Sequence, residues 1–138
     1  MIKRFCATAL IVLFAYGSTG APQAQASAAD GTWLIHDLAL NIYDCGKLVC
    51  GKIVWIGEPK KRTPGKCGKV IVWGLAQDGP AKWSGGKIYD TEEDTTYNLS
   101  AELEPSGTLN ARIYRGIPLF GKTEVLTRIQ PRSRPDWC

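Results

Sequence analysis

The stretch from Trp83 to Leu103, W-S-G-G-K-I-Y-D-T-E-E-D-T-T-Y-N-L-S-A-E-L, constrains the fold most. Its second half alternates. Tyr97, Leu99, Ala101 and Leu103 fall on one face, and Asn98, Ser100 and Glu102 on the other. A period of two marks an antiparallel strand with one face buried. The paired glycines Gly85 and Gly86 interrupt the preceding strand, where a bulge or a close backbone approach is the usual reason. Acidic residues join the two halves, so the whole stretch reads as a strand, a turn and a strand.

The rest of the chain repeats this pattern. Strands are predicted at Thr32–His36, Leu40–Asp44, Val49–Ile56, Lys69–Trp73, Lys82–Tyr89, Thr95–Leu103, Leu109–Arg115 and Lys122–Ile129. Gly, Pro, Asn and Asp separate them, the composition of a sandwich or barrel. Glu58–Gly68 is proline-broken and basic, hence a loop. Gln130–Cys138 carries Pro131 and Pro135 and cannot be a central strand.

Ahead of these strands lies a different segment. Met1-Ile-Lys-Arg4 is basic, and Ala7–Tyr16 is an apolar run of roughly ten residues, short of the about 20 that a membrane helix needs. Small residues follow, ending A-Q-A-S-A. The pattern is that of a secretory signal peptide, here residues 1–28, with cleavage near Ala26 or Ala28. The mature chain, 29–138, is then a single domain of roughly 110 residues, with no transmembrane segment and a periplasmic or secreted location. The formal charge of +4 falls once Lys3 and Arg4 are removed. So small a balance does not argue for a nucleic-acid partner.

Cys45, Cys50, Cys67 and Cys138 remain after cleavage. Four cysteines allow three connectivities, and export favours disulfides. Cys45 and Cys50 flank G-K-L-V, a hairpin loop, and residues facing each other across such a pair are close enough to bridge. That leaves Cys67 with Cys138. Zinc is the competing reading, against the C-x4-C spacing.

Catalytic constellations are sparse. His36 is the lone histidine, beside Asp37. Neighbours on a strand point to opposite faces, so they form no relay. Asp90, Glu92, Glu93 and Asp94 crowd one turn, but the spacing of a calcium loop is missing. No enzyme activity, metal or cofactor is expected. Trp33, Trp55, Trp73 and Trp83 read as core, or as the lining of a ligand cavity. Lys60, Lys61, Arg62, Lys66 and Lys69 lie in or beside one loop, and Arg132 and Arg134 in the tail. A Cys67–Cys138 bond would gather them into a candidate anion patch facing an anionic envelope component. Solvated loops are the alternative.

Taken together, G-T-W (Gly31–Trp33), Y-D-C-G-K-L-V-C-G-K-I-V-W (Tyr43–Trp55), W-S-G-G-K-I-Y-D (Trp83–Asp90), T-Y-N-L-S-A-E-L (Thr96–Leu103) and R-G-I-P-L-F-G-K-T-E-V-L-T-R (Arg115–Arg128) resemble the bacterial domain-of-unknown-function family 2147 (DUF2147). The resemblance implies export and a lipocalin-like architecture, an eight-stranded up-and-down antiparallel barrel, and no catalytic residues. Against the family pattern, the loop after Trp55 is short and lysine-rich, and Leu126 stands where a Trp is common. In a closed eight-stranded meander the first and last strands are antiparallel neighbours. Trp33 and Arg128 should then meet at one mouth, as the barrel-closing pair of a lipocalin-like fold. The function expected is that of an exported module binding a small apolar or amphipathic ligand or an envelope partner. The alternative is a structural or envelope-stress protein with a filled barrel.

Non-reducing peptide mapping of the exported protein should find Cys45 linked to Cys50 and Cys67 to Cys138. A link from Cys45 to Cys67 or Cys138 overturns the assignment.

Overall fold

The computed structural model describes residues 27–131, together with Gly17 and Gly20. Eight antiparallel strands close into a barrel, each paired with the next: β1 (Gly31–Ile35), β2 (Leu38–Cys45), β3 (Leu48–Ile56), β4 (Val70–Gln77), β5 (Lys82–Asp90), β6 (Thr95–Leu103), β7 (Leu109–Tyr114) and β8 (Lys122–Ile129). The seam joins β1 to β8, with Trp33 opposite Arg128 and Thr32 opposite Ile129. Among the described residues no helix is long and apolar enough to cross a membrane.

Alternation explains most of the register. On β6 Leu99 is buried and Glu102 is exposed. On β5 the glycine pair makes the bulge: the register with β6 shifts between Trp83 and Gly86, and Gly85 takes φ +71°. Gly86 must lack a side chain, because a Cβ there would lie 2.5 Å from Leu75 Cγ. Leu75 therefore packs over bare backbone.

Two expectations are corrected. The strand expected at Lys69–Trp73 runs on to Gln77, pairing Ala76 with Ser84 and Gln77 with Trp83. Gly74 reads as a breaker in sequence, but at φ +74° it only kinks the strand. His36 leaves β1 and sits with Asp37 in the β1–β2 turn, at φ 51°. The Cys45–Cys50 disulfide closes the β2–β3 hairpin at a Cα–Cα distance of 5.8 Å. Cys67 is disulfide-bonded too. Cys138, with which it was expected to pair, lies outside the described residues, as do Arg132 and Arg134.

The two ends of the barrel differ. At one end Trp33 is fully buried and Trp83 nearly so. Residues 27–30 fold across this end, with Asp30 N donating to Ser27 O at 2.9 Å. Ala29 is buried in the core, and Trp33 Nε1 donates to its carbonyl at 2.8 Å. Arg128 lies over the Trp33 ring, 4.3 Å from the centroid. Its guanidinium also donates to the carbonyls of Ala28, at 2.8 Å, and of Asp30. Gly31 makes room for it: φ is +136°, and a Cβ would stand 2.6 Å from Arg128 Nη1.

Arg128→Ala removes the ring contact and leaves two carbonyls without their donor. At about 1–2 kcal/mol for an exposed cation–π contact and charged hydrogen bonds, and 4–8 °C per kcal/mol for a domain of this size, the melting temperature should fall by roughly 5–10 °C. Arg128→Lys keeps the charge but not the fork and should recover only part of the loss. A change below about 2 °C in thermal unfolding would remove Arg128 from the closing contact.

Candidate functional site

The opposite end is open. It holds a cavity of about 660 Å³, within the range of small-molecule sites. Its floor is a layer of branched aliphatics from separate strands: Ile35, Leu38, Ile53, Ile56, Ile71, Ile88 and Ile113. These are the mouth-side inward positions of β1, β2, β3, β4, β5 and β7. A second void of about 40 Å³ shares Ile35, Ile88 and Ile113 and reaches Trp83, Ala29 and Leu126. Its lining residues are all apolar. Leu126 contributes to this inner space.

The rim is polar and aromatic. Tyr89, Tyr97, Tyr114 and Phe120 stand around it with His36, Asp37, Lys61, Lys66, Glu92, Glu93, Arg115, Lys122 and Glu124. Most of these charges have partners. Lys66 Nζ lies 2.9 Å from Glu92 Oε1, linking the β3–β4 and β5–β6 loops. Tyr89 donates to Asp94 at 2.5 Å and Tyr97 to Glu93 at 2.6 Å. These hydrogen bonds to carboxylates raise both phenols above their ordinary pKa, with desolvation adding to it. Lys69 lies 4.5 Å over the Tyr89 ring, and Arg115 5.0 Å over Tyr97. Asp90 accepts from the backbone N–H groups of Glu92 and Glu93, which shapes the acidic turn.

The basic loop is therefore not a bare field. Lys61 pairs with Glu58 at 3.1 Å. Arg62 donates to the carbonyls of Ile56 at 2.6 Å and Gly57 at 3.4 Å, tying the loop to the end of β3. Lys66 and Lys69 are engaged as described, and Lys60 is exposed. Loop and mouth form one structure. Among the described residues the tryptophans stay away from the main cavity: Trp33 and Trp83 are core, Trp55 is half-buried, and Trp73 is exposed. The aromatics at the rim are tyrosines and a phenylalanine.

Glu124 and Lys122 belong to the site and were not singled out from sequence. On β8 the inward series is Lys122, Glu124, Leu126 and Arg128. Leu126 is buried, so its parity places Glu124 at the cavity. The signal was there, but two charges in an alternating strand read as the solvent face. Glu124 Oε2 lies 2.9 Å from His36 Nε2, and its Oε1 3.2 Å from Lys122 Nζ. Burial works against the charged carboxylate, but the hydrogen bonds from His36 and Lys122 outweigh it and hold the pKa below 4.5. Among the described residues no three His, Cys, Asp or Glu side chains gather in metal-binding geometry.

The chain belongs to the family described as "Uncharacterized protein conserved in bacteria (DUF2147)", which matches residues 31–128. Among solved structures it is similar to protein HP1028 from Helicobacter pylori, described as belonging to the lipocalin family. The TM-score is 0.65 at 18% identity, over 73% of this chain and 82% of that one. No curated protein matches the chain. The likeness shows a shared lipocalin-like barrel.

A depressed carboxyl pKa contributes stability above the unfolded value and loses it as pH falls through the folded one. Glu124→Gln should therefore lower the melting temperature at pH 7, and the deficit should shrink below pH 4.5. A deficit that persists unchanged at pH 3 would assign it to packing instead.

Proposed function

We propose that the protein is an exported binding module that holds one small amphipathic molecule in the open half of its barrel. The observation that carries this reading is the division of the cavity. An isoleucine floor takes an apolar end, and a rim of tyrosines and both signs of charge takes a polar end. Such a site is concave and mostly apolar, with a few convergent polar groups, as small-molecule sites usually are. Export rests on the basic and apolar N-terminal segment and on the disulfide at Cys45–Cys50, which belongs in an oxidising compartment. We read the site as binding without catalysis, because its titratable groups are paired with one another. The anionic envelope component is the less favoured partner, since the basic loop spends most of its charge internally.

Native mass spectrometry of protein purified from the bacterial envelope should show a bound species of a few hundred daltons. The purified, delipidated protein should also bind N-phenyl-1-naphthylamine, an uncharged fluorescent probe, at one saturable site. Ile88→Trp, which fills the floor, should weaken that binding at least roughly tenfold, about 1.4 kcal/mol. Val125→Trp, on the exposed outer face, should leave it unchanged. No added mass and no saturable binding would return the filled-barrel, structural reading.

A further inference from the structure

We infer that the mature chain begins at Ser27: the leader is cut between Ala26 and Ser27, and the α-ammonium so formed pairs with Asp44 to lock the closed end of the barrel. The inference rests on the export reading and adds to it a processing site and a role for the new terminus.

Between the apolar run and the first strand the sequence offers two Ala-x-Ala cleavage motifs, Ala24-Gln25-Ala26 and Ala26-Ser27-Ala28. The structure separates them. Cutting after Ala28 would put the new ammonium on Ala29, which is only 3% exposed within the core cluster. Taking an ammonium out of water costs several kcal/mol unless it is well paired. It would also remove the carbonyl of Ala28, which Arg128 Nη2 holds at 2.8 Å. The hydroxyl of Ser27 that accepts from Ala29 N at 3.3 Å, and the Ser27 carbonyl that accepts from Asp30 N at 2.9 Å, would go with it.

Cutting after Ala26 keeps all of these. It also leaves the terminus in the right place. Ser27 N already donates to Asp44 Oδ2 at 3.1 Å, across 17 residues of sequence and in contact with solvent. After cleavage the same nitrogen carries three donors and a positive charge, and the contact becomes a charge-assisted pair. The local charge calls for it. Asp30 is pushed above its ordinary pKa by burial and then by the charge of Asp44, with only Arg128 opposing. A cation at Ser27 offsets Asp44. Removal of the leader would thus complete the seal that residues 27–30 and Arg128 begin.

The test uses the full 138-residue chain expressed in a Gram-negative bacterium, with intact mass and N-terminal sequencing of the protein from the soluble envelope fraction. Ser27 as the first residue supports the inference. Ala29, or any other first residue in a processed chain, overturns the cleavage position and leaves export standing. An unprocessed chain confined to the cell interior overturns both. The lock is read separately, on chains that begin at Ser27. Asp44→Asn should lower the melting temperature by a few degrees when the α-amino group is free, and by clearly less when it is acetylated. Equal losses in the two forms would overturn the ion pair.

Discussion

The barrel depends on a thin seam. β1 has five residues, and its register with β8 comprises three residue pairs, against eight along β2–β3. A sheet that fails to close there exposes two edges with unpaired N–H and C=O groups, a template for association with other chains. Arg128 reinforces this short ladder. It covers the ring of its cross-strand partner Trp33 and binds carbonyls of the segment that crosses the end of the barrel. One side chain thereby joins the last strand, the first strand and the stretch before it. Gly31 is the matching concession: any side chain there would stand in the guanidinium's place.

The same strand makes the two ends unlike. The inward series of β8 runs from Lys122 and Glu124 at the mouth, through buried Leu126, to Arg128 at the seal. Each charge lies within reach of water, and only the aliphatic residue is buried in the barrel. The remaining strands show the same gradient in size. Trp33 and Trp83 fill the sealed half, while isoleucines line the open half and leave its centre empty. The cavity thus follows from where the largest side chains stand along the strands.

Much of this was legible in the sequence, because a half-buried strand advertises itself by period two. β5, β6 and β8 were read almost to the residue. The errors arose where local and tertiary signals conflict. Gly74 carries the mark of a breaker, yet its strand continues because β5 supplies the hydrogen bonds on the far side. His36 was placed in a strand and sits instead in a turn, where Glu124 from the far end of the chain meets it. Which tryptophans fill the core and which face outward was equally hidden. Trp33 and Trp73 both lie in strand segments, and the face each occupies separates them: Trp33 points inward, while Trp73 follows buried Val72 and stands opposite exposed Lys87 on the outer face. The tyrosine rim is spread over β5, β6 and β7, and it is the register of these neighbouring strands, with Tyr97 opposite Ile88 and Tyr114 opposite Asn98, that gathers it, which no local pattern in the sequence shows.

Strength is distributed unevenly between the ends, and this bears on how a ligand would enter. The mouth is bridged by Lys66–Glu92 and His36–Glu124. In these pairs Glu92 and His36 are well exposed, with 54% and 73% of the side chain open to solvent. Exposed pairs of this kind contribute roughly 0–1 kcal/mol each, so the loops that frame the cavity can part at little cost. The sealed end is held by a buried tryptophan, a cation on its face and hydrogen bonds to the chain that crosses it. Separating these would open the core itself, in a domain whose whole stability is on the order of 5–15 kcal/mol. Access through the mouth is thus uncoupled from unfolding. A barrel built in this way can admit an apolar molecule to its isoleucine floor, where burial is worth roughly 25 cal/mol for each Å² removed from water, without loosening the seam that keeps it closed.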